Sequence, residues 1–306
     1  MSRRSVLIIV LALIGVPAAV AGVEAIAFYS ANRSTHTLQS SGVTREYRLH
    51  VPASYDASRP TPLVISLHGA GMWPAAQQRT SQWDRVADRE GFIVAYPSGF
   101  SGRGPRIWQV TAGPSHRRDV TFISDLIDEV SRSYNIDAHR IYANGFSNGG
   151  GMSFVLSCTL SDRIAAVGLV DAALTLPASW CRDDRPVPMI AFHGNSGEAA
   201  PYKGGSSWVS VGRPIFQDVE AFMASWARRN RCVGKPAVAS AASDATRIAY
   251  EDCASGAPVI LYRLEGGGHT WPGGGHIAAW FVGSTNRNID ASTVMWDFFK
   301  QHPLSR

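Results

Sequence analysis

The sequence lacks the residue spacings that bind metal ions, since neither a CxxC nor an HExxH pattern occurs in its 306 residues. A long basic stripe is also absent: the formal net charge is +5, and its clusters, such as "ARRNR" at 227–231, are short. We interpret these clusters as solvated faces, because a nucleic-acid site would need a longer run of positive charge. No internal repeat is visible. The sequence therefore predicts no metal site and no nucleic-acid partner, and we expect a monomer.

The N-terminus has the features of a targeting segment. "MSRR" is positively charged, an apolar run follows it, and "AVA" at 19–21 offers small residues to a signal peptidase. We predict a signal peptide over 1–21, or else an uncleaved membrane anchor that extends to about Tyr29. The polar residues 30–43 are predicted to be a linker, and 44–306 a single catalytic domain. An extracellular or periplasmic location follows from either form of the N-terminus.

The sequence has only four cysteines, Cys158, Cys181, Cys232 and Cys253. An even number in an exported protein favours two disulfides over free thiols. Proximity in sequence favours Cys158–Cys181 and Cys232–Cys253, although three connectivities remain open at this stage.

Apolar runs of strand length alternate with segments of helical periodicity along the rest of the chain. "TPLVISLHGAG" is a continuous apolar run that ends in glycines, as a buried parallel strand does. "DVTFISDLIDEVSRSYN" has helical spacing, and Asp119 is placed to cap its start. This alternation predicts an α/β fold with a mostly parallel central sheet and helices on both faces. Ligands then bind beyond the carboxyl ends of the strands.

The segment "GFSNG" places Ser147 between two glycines at the junction of a predicted strand and a predicted helix. G-x-S-x-G in this context is typical of a nucleophilic serine on a very tight turn, where the flanking positions pack so closely that only glycine fits. The N-terminus of the following helix also favours negative charge beside the serine. We therefore predict that Ser147 is a catalytic nucleophile.

A serine hydroxyl needs a base and a site for the developing oxyanion. "EGGGHTWPGGG" follows the last central strand and carries His269, which we predict to be that base. The turn "LHGAG" follows an early strand, and its Ala70 N–H, together with the N–H of Asn148, is predicted to form the oxyanion hole. His68 in the same turn is predicted to serve packing and hydrogen bonding.

Several segments together resemble the polyhydroxybutyrate depolymerase and feruloyl esterase branch of the α/β-hydrolases. They are "PLVISLHGAG", "RDVTFISDLID", "RIYANGFSNGGGMS", "RPVPMIAFHG", "APYKGG", "WARRNRC", "EGGGHTWPGGG" and "NIDASTVMWDFFKQHP". The resemblance implies an α/β-hydrolase fold. It also implies a secreted serine esterase that acts on polyester, acetyl or cinnamoyl esters through Ser147 and His269, without metal or cofactor.

The sequence departs from this family at the third member of the triad. The family's loop reads like HGTADPxVPY, whereas this chain has "HGNSGEAAPY", with Gly197 where the aspartate is expected. Two carboxylates are candidates for the missing acid: Glu198, one residue later, and Asp171, at the end of the preceding strand. A base without an orienting carboxylate loses orders of magnitude in rate. A non-catalytic binding protein on the same scaffold is therefore an alternative, as is a peptidase of the same fold.

Tryptophans near the predicted site suggest an aromatic rim for the substrate. Trp73 follows the oxyanion turn and Trp271 follows the predicted base, while Trp108 and Trp208 lie in irregular segments beyond strands. Such rings can stack on a feruloyl group, a sugar or a polyester chain. We predict Trp73 and Trp271 to bind substrate, with packing in the core as the alternative.

Overall fold

A sheet of ten strands organises the chain in the computed structural model, which describes residues 34–100, 105–183, 185–207, 215–275 and 282–305. The strands are β1 (His36–Ser40), β2 (Val43–His50), β3 (Thr61–Leu67), β4 (Ile93–Pro97), β5 (Ile136–Phe146), β6 (Ala166–Val170), β7 (Met189–Gly194), β10 (Ala237–Ala242), β11 (Ala245–Tyr250) and β12 (Val259–Leu264), while β8 (Gly205–Ser206) and β9 (Ile215–Phe216) form a separate pair. Their order in the large sheet is β1-β2-β4-β3-β5-β6-β7-β12-β11-β10. The run from β4 to β12 is parallel, and both edges are antiparallel.

Helices cover both faces of this sheet, as the alternating pattern predicts. They are α1 (Pro74–Ser81), α2 (Trp83–Glu90), α3 (His116–Ser133), α4 (Asn148–Thr159), α5 (Val219–Arg229) and α6 (Ala291–Phe299). One apolar cluster joins the sheet to α3, α4 and α5, and a second joins it to α2 and α6. Successive residues of β3 alternate between the clusters, with Leu63 and Ile65 in the first and Val64 in the second. Both faces of this strand are therefore buried, which explains its continuous apolar run.

The structure corrects two expectations and adds one hairpin that the sequence did not predict. His36–Ser40, inside the predicted linker 30–43, forms β1 and pairs with β2. The hairpin of β10 and β11 extends the other edge and was not predicted. Asp119 does not cap its helix, because α3 begins at His116 and Asp119 lies within the first turn. Short edge strands with polar or small residues lack the apolar run that identified the central strands.

The predicted signal peptide, its cleavage after Ala21 and the alternative membrane anchor lie outside the described residues. Within the described ranges, no helix is long and apolar enough to span a membrane.

Both favoured disulfides are present: Cys158 pairs with Cys181 and Cys232 with Cys253. The first joins the end of α4 to the residue that follows the short 3-10 helix Ala178–Trp180, and the second joins the segment after α5 to the segment after β11. Each closes a loop of about two dozen residues, a size for which the chain-entropy model gives a stabilisation of about 3 kcal/mol.

Candidate active site

Ser147 lies on a sharp turn between β5 and α4. Its backbone has φ 53° and ψ −118°, a conformation that non-glycine residues rarely adopt. The flanking glycines have no room for a side chain: a Cβ on Gly145 would lie 2.3 Å from the carbonyl carbon of Gly149, and one on Gly149 would lie 2.2 Å from the carbonyl oxygen of Leu67. The glycines therefore permit the close approach that the sequence pattern predicted.

Two backbone N–H groups beside Ser147 have no acceptor among the described residues, namely those of Ala70 and Asn148. Neighbouring amides are occupied, since Gly71 N–H donates to the carbonyl of Arg106 at 2.8 Å and Met72 N–H donates to Gly69 at 3.1 Å. The turn is thus fixed while the Ala70 and Asn148 donors remain available. This is the arrangement expected of the predicted oxyanion hole.

His68 is fully buried beneath this turn, as its predicted packing role requires. Its Nδ1 lies 2.7 Å from the Gly69 carbonyl, and its Nε2 lies 2.9 Å from the Gly99 N–H that donates to it. These partners assign the proton to Nδ1. Burial lowers the pKa of His68 to about 4, so its ring stays neutral and holds the two loops together.

His269 lies in the loop after β12, and its ring lines the same cavity as Ser147. The ring packs on Phe146 with centroids 4.8 Å apart, and the backbone N–H of His269 donates to the carbonyl of Val282 at 2.6 Å. Burial, with a smaller effect of His193, lowers the pKa of His269 to about 3. The imidazole is therefore neutral near pH 7 and can accept a proton. Its Nδ1 is buried and has no hydrogen-bond partner among the described residues.

Asp171, one of the two candidate acids, binds the backbone of the histidine loop rather than the histidine ring. Its Oδ2 accepts the Thr270 N–H at 3.1 Å and its Oδ1 accepts the Gly194 N–H at 2.9 Å. Its φ of 41° is a left-handed conformation that costs energy for a non-glycine residue. Burial raises the pKa of Asp171, and the two N–H donors oppose this shift. Nδ1 of His269 has no hydrogen-bond partner among the described residues, so Asp171 does not hold the ring through that atom, and its carboxylate binds the backbone of the loop.

Glu198, the other candidate acid, is exposed in the loop after β7. Since Nδ1 of His269 has no hydrogen-bond partner in the described part of the chain, Glu198 does not hold the ring through that atom, and this expectation is corrected too. Gly197 does lie beside the histidine, because a Cβ on it would be 3.0 Å from the backbone nitrogen of His269. The position expected to carry the acid is therefore in place, but it has no side chain.

A cavity of about 1470 Å³ opens in front of Ser147 and is lined mainly by apolar side chains. Among the described residues that line it, the only ionisable side chain apart from that of His269 is Arg79. The apolar part of the lining includes Met72, Ile107, Trp108, Val110, Phe146, Leu176, Ile215, Phe216 and Val282. This volume accommodates a large uncharged group beside the serine.

Neither tryptophan predicted to bind substrate lines this cavity. Trp271 is 1% exposed, and its Nε1 donates to Oγ of Ser292 at 3.0 Å within the core. Trp73 is covered by the guanidinium of Arg106, which lies 3.5 Å from its ring centroid. Trp108 does line the cavity, and Trp208 lies outside the described residues. Proximity in sequence to a functional residue does not place a ring in the cavity, because the direction of a loop side chain depends on the groups that it packs against, here Ser292 and Arg106.

The side chain of Asn148 has a role that the sequence did not reveal. Its Oδ1 accepts the Trp108 N–H at 2.7 Å, and its Nδ2 donates to the Trp108 carbonyl at 3.1 Å. One residue thus places a free N–H beside the serine and fixes a wall of the cavity. The sequence of this wall has no periodic pattern. Its one signal is the position of Trp108 in an irregular segment beyond a predicted strand.

Acid should destabilise this fold through its buried histidines. His68 and His193 have pKa values lowered by burial to about 4, and that of His269 is lowered to about 3, from 6.5. Below pH 6.5 the unfolded chain therefore binds up to three protons that the native state refuses, and buried Asp171, whose pKa is raised, opposes this difference. Three protons would give a slope of about 4 kcal/mol per pH unit, so with this opposition we expect the free energy of unfolding to fall by about 3 kcal/mol per pH unit between about pH 6 and pH 4.5. Urea unfolding at pH 7, 6, 5 and 4.5 measures this slope, and a free energy that is constant from pH 7 to 5 would contradict it.

The parallel sheet, the serine on its sharp turn after β5 and the histidine beyond β12 define an α/β-hydrolase. Comparison with known proteins gives the family. The model of the family described as "Esterase PHB depolymerase" matches residues 45–178. "Putative esterase NocK" of Nocardia uniformis subsp. tsuyamanensis is 30% identical over 277 residues, which cover 84% of this chain and 79% of that protein. The chain belongs to this esterase family.

One further relative and one solved structure are similar to this chain. "Feruloyl esterase B" of Piromyces equi is 31% identical over 268 residues, which cover 85% of this chain and 46% of that protein, so the chain spans about half of its length. Among solved structures, the acetyl xylan esterase from Aspergillus awamori superposes with a TM-score of 0.61 at 14% identity, covering 77% of this chain and 93% of that one. At this identity the likeness shows the fold alone.

Proposed function

We propose that this chain is a serine esterase that hydrolyses carboxylic esters through an acyl-enzyme on Ser147. The observation that carries the proposal is the strained backbone of Ser147 at a cavity that also contains a neutral histidine and two N–H groups without an acceptor in the described part of the chain. Strain of this kind is retained where the surrounding structure needs it, typically at functional sites. The esterase relatives support the same reaction class.

The proposed reaction has two steps. His269 takes the proton of Ser147 as its Oγ attacks the ester carbonyl carbon, and the N–H groups of Ala70 and Asn148 bind the oxygen that becomes negative. The histidine then protonates the departing alcohol. Water, deprotonated by the same histidine, releases the acid from the acyl-enzyme. Each oxyanion donor is expected to contribute about 3 kcal/mol to the stability of the transition state.

The proposed substrate class is esters with a large apolar or aromatic group, because the cavity is far larger than an acetyl group needs. Feruloyl esters and hydroxyalkanoate oligomers belong to this class, and acetyl esters are the small end of the range. A panel of methyl ferulate, hydroxybutyrate oligomers, acetylated xylan and p-nitrophenyl acetate tests the proposal. Hydrolysis of none of the four esters would contradict it.

Nδ1 of His269 has no hydrogen-bond partner among the residues that the structure describes, and this favours one second candidate, a non-catalytic binding protein on the same scaffold. A fluorophosphonate probe separates the two, because it labels only a serine that a base activates. Labelling of the intact protein, lost in Ser147→Ala, supports the esterase. Binding of an ester without labelling or turnover would support the second candidate.

We also propose that the protein works outside the cytoplasm. The apolar N-terminal segment and the two disulfides support export, because disulfides persist in oxidising compartments. Fractionation of cells that express the full chain, with mass spectrometry of the mature N-terminus, tests this and distinguishes cleavage after Ala21 from an uncleaved anchor.

A further inference from the structure

One wall of the cavity, residues 105–112, is neither helix nor strand, and we call it the strap. In the described part of the chain, its only ladder contact is a single bridge between Phe100 and Ile107. An irregular segment has no periodic hydrogen bonds of its own, so its shape depends on the groups that bind its backbone from outside. The residues that bind the backbone of the strap therefore determine the shape of this wall of the cavity.

The centre of the strap is attached to the catalytic turns. Asn148 binds both the N–H and the carbonyl of Trp108, and the Trp108 ring N–H donates to the His68 carbonyl at 3.0 Å. Further along, Oγ1 of Thr175 donates to the Val110 carbonyl at 2.9 Å. These attachments come from residues close to Ser147.

Asp119 holds the strap from the side that faces away from the cavity. Its Oδ2 accepts the Gln109 N–H at 2.9 Å, and its Oδ1 accepts a hydrogen bond from Nη2 of Arg45, also at 2.9 Å. The same Nη2 donates to the Ser98 carbonyl at 3.0 Å. Asp119 is 1% exposed, Arg45 is 5% exposed, and neither lines the cavity. A buried ion pair thus accepts a hydrogen bond from the backbone of one wall of the cavity.

The geometry points to Asp119 as a specificity-determining residue that acts through the strap. With its charge balanced by Arg45, it fixes Gln109 and thereby the position of the neighbouring Ile107, Trp108 and Val110 side chains in the cavity. Large ester groups that fill the cavity touch these side chains, whereas an acetyl group beside Ser147 does not need them. Asp119 therefore sets the fit of large substrates and leaves the chemistry at the serine to other groups. The inference rests on the proposed esterase function for its kinetic consequence, but not for its structural one.

The structural consequence is measured without any substrate. In Asp119→Asn the Gln109 N–H and Arg45 both compete for one amide oxygen, so the attachment of the strap at Gln109 is weakened. Hydrogen exchange of the intact protein, read by mass spectrometry, should show the 105–112 amides exchanging about tenfold faster, with the elbow peptide around Ser147 unchanged. Because Asp119→Asn leaves a buried cation with a weaker partner, the double variant Arg45→Met/Asp119→Leu is measured beside it; it removes the Gln109 acceptor and leaves no unpaired charge.

The kinetic consequence is the ratio of kcat/KM for p-nitrophenyl octanoate to that for p-nitrophenyl acetate. We expect this ratio to fall about fivefold or more in both the single and the double variant, mainly through KM for octanoate. Arg45→Lys keeps a cation beside Asp119 and should retain the ratio of the unchanged protein. Asn230→Ala is the matched control, because Asn230 is also buried and also joins two backbone segments, through Val187 and Ala257, away from the cavity.

The outcomes separate the two proposals. Unchanged exchange of the strap in both Asp119 variants overturns the inference, whether or not the protein hydrolyses esters. A selectivity ratio that changes equally in Asn230→Ala and in the Asp119 variants also overturns it, because general destabilisation then explains the effect. Faster exchange of the strap in a protein that hydrolyses no ester would uphold the attachment of the strap by Asp119 and refute the esterase.

Discussion

Ser147→Ala is expected to lower kcat/KM for ester hydrolysis by about 10⁴-fold or more, and to abolish labelling by a fluorophosphonate. The reason is local. Alanine removes the only atom that the turn presents to the cavity as a nucleophile, while the N–H groups of Ala70 and Asn148 stay in place and leave a small residual rate. The fold should persist, because a side chain smaller by one oxygen atom fits the same turn. Initial rates on p-nitrophenyl acetate and the thermal unfolding midpoint measure the two effects.

A second serine gives the control for this experiment. Ser157 lies on the helix that follows the turn, is fully buried, and donates through Oγ to the carbonyl of Phe154 at 2.7 Å, away from the cavity. Ser157→Ala should lower stability slightly and leave labelling intact. Retention of more than a tenth of the activity by Ser147→Ala would show that another group attacks the ester.

Gly197→Asp is expected to raise kcat, which is unusual for a substitution beside an active site. His269 has a buried Nδ1 without a partner among the described residues, and position 197 adjoins the histidine backbone. A carboxylate there can accept a hydrogen bond from Nδ1–H, hold the imidazole in the productive tautomer and stabilise the imidazolium. In triad enzymes, loss of this carboxylate lowers kcat about 10⁴-fold. We expect a smaller gain in kcat here, about tenfold or more, because the new Cβ also crowds the backbone nitrogen of His269.

Gly197→Ala separates the carboxylate from the crowding. It adds the same Cβ, 3.0 Å from the histidine nitrogen, without an acceptor, so it should lower or leave unchanged the rate of the parent protein. The acidic limb of the kcat profile should also move upward in pH in Gly197→Asp, since a neighbouring carboxylate raises the pKa of a histidine. An aspartate variant that folds and is no faster than the alanine variant would show that His269 is oriented by other means.

Such other means are present in the structure. Asp171 binds the N–H of Thr270 and so fixes the loop one residue beyond the base, and the ring of Phe146 supports the imidazole. The chain thus orients its histidine through backbone and packing where the resemblance implied a direct carboxylate contact. The sequence showed that position 197 lacks the expected aspartate and that an additional aspartate stands at position 171. It did not show how Asp171 contacts the histidine loop. Which carboxylate oxygen meets which N–H depends on how the ends of β6 and β7 and the histidine loop converge.

Local chemistry made much of the fold predictable from the sequence. The central strands have continuous apolar runs because both of their faces are buried, and the elbow needs glycine because its backbones nearly touch. Both disulfide pairs join neighbouring cysteines, and the structure confirms them. The edge strand β1 and the hairpin of β10 and β11 lacked these signals, because a half-exposed strand has no apolar run to distinguish it from a loop.

The sequence by itself determined the α/β-hydrolase fold, the sharp turn at Ser147 and the place of His269 after the last parallel strand, because each depends on residues that are close together in the chain. Only the tertiary structure decided that Trp271 belongs to the core, that Asp171 binds the backbone of the histidine loop, and that Asp119 supports the strap. Those roles arise between residues that are up to 99 positions apart, as Asp171 and Thr270 are. A side chain's direction and its partner are fixed there by the packing of whole elements, which no local pattern records.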